Sequence, residues 1–67
     1  MSAKALGPAV RYRHRREGPA FIVFDSWAGG IVPGSERATS PEAVRLSVHL
    51  ARLWPQGVPP GATAEEL

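Results

Sequence analysis

Between Val10 and Phe24 the chain first alternates and then stops alternating, a pattern that suits two paired strands and not a helix. Val10, Tyr12 and His14 are interleaved with Arg11, Arg13 and Arg15, and a period of two with β-branched and aromatic members predicts a strand opening at Ala9. Arg16-Glu17-Gly18-Pro19 follows, and glycine with proline marks a turn. The run Ala20-Phe21-Ile22-Val23-Phe24 that follows is apolar throughout and closes on Asp25-Ser26-Trp27. The two runs predict a β-hairpin. With Glu17-Gly18 as a two-residue turn, Arg15 faces Ala20, His14 faces Phe21, Arg13 faces Ile22, Tyr12 faces Val23 and Arg11 faces Phe24. One face then carries Val10, Tyr12, His14, Phe21 and Val23. The other carries Arg11, Arg13, Arg15, Ile22 and Phe24. A slip of one residue would exchange the two sets.

From Ala28 to Thr39 glycine and proline predict a loop, with Ile31-Val32 as a short third strand. Ser40-Pro41-Glu42 then offers an N-cap serine, a proline at the first helical position and an acid in the first turn. Moving the cap to Thr39 puts Glu42 at the third helical position, a capping box. Either way a helix begins there and runs to about Trp54, where Pro55 and Gly57 stop it. Residues 56–67 hold two prolines and two glycines, and read as a tail that is ordered only if something holds it. The expected fold class is α+β: a β-hairpin, a glycine/proline loop and one helix, in ββα order, as a single small domain over 1–67 with an ordered core of about 9–55. Tyr12, Phe21, Val23, Leu46, Leu50 and Leu53 form the expected core.

A chain of 67 residues buries only ~60% of the surface its unfolded form exposes, so its stability margin is thin. Small scaffolds compensate with disulfides, a metal or association. Cysteine is absent, and His14 and His49 are the only nitrogen ligands, which leaves no zinc site and makes association the expected staple. No apolar run approaches the ~20 residues of a membrane helix, and the lead-in Met1–Pro8 lacks the long apolar core of a signal peptide. The expected location is cytoplasmic, with no membrane and no cofactor.

No catalytic constellation emerges, and the expectation is a protein that is not an enzyme. Gly29 and Gly34 have the spacing that opens a phosphate-binding loop, but Ser35-Glu36 stand where that motif needs Lys and Ser/Thr. Asp25-Ser26 suits the end of a strand, through side-chain bonds to backbone. Phe24-Asp25-Ser26-Trp27-Ala28-Gly29 resembles a segment of uroporphyrinogen decarboxylases; the flanks do not follow that family, and no residue role carries over.

Charge and apolar surface say more about partners. Seven of the eight cationic residues are arginines, the net charge is +2, and Arg11, Arg13, Arg15 and Arg16 are concentrated in one strand. Alternate arginines about 6.6 Å apart could meet successive phosphates or an acidic partner. Equally, their stems could lie over Ile22 and Phe24 with the heads in water. The helix is apolar around more than half its circumference, with Arg45, His49 and Arg52 on a narrow polar strip beside Glu42. The second strand is apolar on both parities, as in strands covered on both sides. Val44, Val48, Ala51, Ile22, Phe24 and Trp54 are therefore the candidate partner interface. Two functions are expected from this. One is a small basic binding module, oligomeric and nucleic-acid-binding or regulatory, using the arginine strand. The alternative is a structural or accessory subunit that docks its apolar helix face onto itself or a larger protein.

Overall fold

The computed structural model describes residues 10–67. Ala9, where the strand pattern opens, and the lead-in Met1–Pro8 lie outside the described residues. Two antiparallel strands, β1 (Tyr12–Glu17) and β2 (Ala20–Asp25), are followed by one helix, α1 (Ser40–Leu53). This is the α+β, ββα arrangement expected from the pattern.

The register differs from the expected one. Tyr12 pairs with Asp25, His14 with Val23, Arg15 with Ile22 and Glu17 with Ala20, so the turn is Gly18-Pro19 and not Glu17-Gly18. Gly18 takes φ +61. A positive φ at the first central position is the type II′ pattern, which matches strand twist and which glycine alone adopts without strain. Proline at the second position keeps its own fixed negative φ. The correction is a shift of two residues, not one, so every side chain stays on its expected face.

That face receives α1. Ala43, Leu46 and Leu50, at helical spacing, pack on Tyr12 and Val23 to form the core with Val32 and Ala64. Leu53 does not join them. It is 45% exposed, because α1 ends there and Trp54, with φ −128 and ψ 67, leaves the helical path. The Trp54 side chain packs against the core instead. The helix starts with the capping box: Thr39 Oγ1 accepts from the Glu42 backbone N–H, and Glu42 Oε1 accepts from the Thr39 N–H.

In place of a third strand, the loop touches β2 at two isolated bridges, Phe24 with Ile31 and Phe21 with Arg37. Between them Ser35, fully buried, substitutes for a strand. Its hydroxyl accepts from Val23 N–H and donates to Val23 C=O, both at 3.0 Å. We expect Ser35→Ala to lower stability by about 1–3 kcal/mol, since it strands a buried backbone donor. Thermal melting checks this, and Ser35→Thr, which keeps the hydroxyl, is expected to recover part of the loss.

The last segment is held. Ala64 is wholly buried and its N–H donates to Pro33 C=O at 2.7 Å. The Arg37 guanidinium donates to the carbonyls of Gly34, Glu36, Ala64 and Leu67. Gly34, at φ +75, has no room for a side chain: a Cβ there would lie 2.7 Å from the Glu65 nitrogen. Residues 56–67 are thus part of the fold, because loop and tail supply each other's hydrogen bonds.

Candidate functional site

The arginine row divides into one residue engaged across the fold and three exposed ones. Arg11 lies before β1, where its guanidinium meets the Asp25 carboxylate through two parallel bonds of 2.9 Å and donates to Pro55 C=O at 3.2 Å. A bidentate pair of this kind fixes geometry as well as charge. Asp25 also accepts from the N–H groups of Trp27 and Ala28, both at 3.0 Å. The Arg11 hydrogen bonds, set against burial, hold the Asp25 carboxyl below the usual carboxylate range, and the two backbone donors add to the effect. Ser26 completes the corner by donating its hydroxyl to Arg11 C=O at 2.7 Å. Asp25-Ser26 therefore ends the strand, and the Arg11 charge is spent inside the molecule.

Arg13, Arg15 and Arg16 are exposed. Arg13 and Arg15 point away from α1, on the face of Ile22 and Phe24. The Arg15 guanidinium carbon sits 5.1 Å from the centre of the Phe24 ring and its Nε is 3.2 Å from Glu17. Ile22, directly opposite Arg15, is only 3% exposed. Placing Ile22 in a partner interface is thus corrected: the monomer already covers it. Phe24 is half-buried under Arg15. It is the Arg15 head, and not its stem alone, that lies over the Phe24 ring.

Aromatic rings that could stack bases are largely engaged. Tyr12 is buried, its hydroxyl donating to Trp54 C=O, and burial pushes that hydroxyl's pKa up. Trp54 is half-buried and belongs with the core, not with an exposed interface. Trp27 is exposed, beside Arg11 at 5.2 Å.

The outer side of α1 is different. Val44 is 42% exposed and Val48 is 47% exposed, one helical turn apart, with Ala51 exposed next in line. Arg45, His49 and Arg52 lie alongside, and these polar side chains and the two valines share one shallow depression.

Two further clefts offer no converging chemistry. One of about 350 Å³ is lined by Arg37, Glu42, Arg45, Leu46, His49 and Leu67, but Arg37 is occupied by carbonyls and Glu42 by the helix cap. The other, of about 250 Å³, includes Arg11, Asp25, Gly29 and Gly30, and its two charges neutralise each other. Among the described residues no group of three His, Cys, Asp or Glu is placed to hold a metal ion, and no helix is long and apolar enough to cross a membrane. Sequence reasoning missed the roles of Ser35, Arg37 and the Arg11–Asp25 pair. A lone aspartate just past an apolar strand, with an arginine just before its partner strand, was the available signal.

Compared with models of protein families, with curated proteins and with solved structures, the chain matches none of them.

Proposed function

We propose that this protein is a small, non-catalytic docking module that meets another protein surface, its own or a larger assembly's, through the outer side of α1. The observation that carries the reading is the exposed Val44–Val48 pair, continued by Ala51 and bordered by Arg45, His49 and Arg52. Leaving such residues in water forgoes roughly 25 cal/mol for each Å² that a partner could cover. Apolar residues rimmed by charge are the usual make-up of an interaction surface.

Val48→Asp separates docking from folding. The side chain already stands in water, so its replacement is expected to move stability by no more than about 0.5 kcal/mol. Light scattering at micromolar concentration, with gel analysis of co-purifying protein, is expected to show wild type as an oligomer or a complex. The variant is expected to be a lone monomer with the same circular dichroism spectrum, melting below wild type only by the stabilisation that association supplied. A folded wild-type monomer without a companion overturns the proposal.

A second reading, nucleic-acid binding through Arg13, Arg15 and Arg16, draws support from the exposure of all three. Phosphate-driven binding falls steeply with salt, whereas apolar docking does not. No affinity for DNA or RNA at low salt, together with no effect of Arg13→Glu, sinks that reading.

A further inference from the structure

The two edges of the hairpin are treated differently. Phe21, Val23 and Asp25 send their backbone N–H groups outward from β2, to Arg37 C=O at 2.8 Å, the Ser35 hydroxyl at 3.0 Å and Gly30 C=O at 3.0 Å. In an antiparallel ladder, residues directly opposite each other share the same hydrogen-bonding direction. Their partners Arg16, His14 and Tyr12 therefore also direct their backbone groups outward, from the free edge of β1. Among the described residues nothing pairs with the N–H groups of these three. The loop covers the β2 edge of the sheet, and among the described residues the β1 edge is an unfilled template.

The formal charge along that template is mostly positive. Arg13 and Arg15 stand on one face, His14 and Arg16 on the other, all exposed, and the one acid of β1, Glu17, stands at its turn end beside Arg15. Arg13 and Arg16 have no carboxylate partner among the described residues. A second copy is a poor occupant: an antiparallel β1 centred on the outward-directed His14 would bring Arg13 against Arg15, and like charges opposite each other are unfavourable.

We propose that the free edge of β1 is a strand-addition site for an extended, acidic segment of a partner protein. The backbone bonds to Tyr12, His14 and Arg16 give the register, as in other cases of β-augmentation. Carboxylates at alternate partner positions, about 6.6 Å apart, match the spacing of Arg13 and Arg15. This surface is separate from the valines of α1 and does not depend on docking there.

The test uses the full chain, labelled with 15N, titrated with a synthetic octapeptide of alternating glutamate and valine. The expected result is slowed exchange of the Tyr12, His14 and Arg16 amides. The Arg13→Glu/Arg15→Glu double variant should bind at least roughly tenfold more weakly, the scale of charge complementarity lost at an interface, while melting like wild type. The same peptide methylated on its backbone nitrogens cannot form the ladder and is expected not to bind. Binding is expected to persist in Val48→Asp, which separates this site from the helix surface. Equal binding of the methylated peptide, unprotected edge amides, or preference for a single-stranded oligonucleotide of equal charge over the peptide each overturns the proposal.

Discussion

Leu50→Ala is expected to lower the melting temperature by roughly 12–24 °C, the shift that about 3 kcal/mol produces in a domain of this size. Leu50 is wholly buried where α1 lies over Tyr12 and Val23. Truncating a buried leucine costs the transfer energy of the lost carbons plus the cavity they leave, together 2–5 kcal/mol. So small a core has little else to redistribute into the gap, and the thin margin of a short chain makes the loss a large fraction of the total. Leu53→Ala is the matched control. At 45% exposure it should cost less than about 1 kcal/mol. If thermal melting shows equal losses for the two leucines, α1 presents a different face to the hairpin than the one described.

Asp25→Ala is expected to be clearly destabilising, by about 1–3 kcal/mol, the cost of leaving part-buried hydrogen-bond donors unsatisfied. The substitution leaves Arg11 without its counter-charge and removes the acceptor of the Trp27 and Ala28 N–H groups. It also frees the corner where Arg11 ties the start of β1 to Pro55. The effect carries a pH signature. The folded-state pKa of Asp25 lies below its ordinary value, the Arg11 hydrogen bonds being the first cause. A group depressed in this way contributes its full stability above the unfolded value of about 3.9 and loses it as pH falls through the folded value. Wild type should therefore lose stability below about pH 4 more steeply than Asp25→Asn, and the two unfolding curves should converge in acid. Parallel denaturant titrations from neutral pH downward measure this. A constant difference between wild type and Asp25→Asn across the acid range rejects the role assigned to the carboxylate.

Local signals in the sequence were enough for each element. The alternation from Tyr12 to Arg15 specified a strand, glycine with proline a turn placed one residue too early, and Thr39 with Glu42 the start of a helix, because each depends on interactions within a few residues along the chain. Period two also settled which side chains share a face of the hairpin, so an error of two in register changed no side. The fate of each face was a tertiary matter. Ile22 looked available to a partner until the arginine strand was placed opposite it. Arg11 looked like one of a row until Asp25, 14 positions away, claimed it. Residues 56–67 read as a tail because the groups that hold Ala64 are far off in sequence, the Arg37 guanidinium being 27 positions back. Composition cannot encode such pairings, since hydrogen bonds and ion pairs across long loops form only once the hairpin and helix have set where loop and tail run. By itself the sequence determined the strands, the turn, the helix and the sides of each. Only the tertiary structure decided which charges are spent within the molecule and which of its apolar residues remain in water, because both depend on partners that the fold, and not chain proximity, brings together.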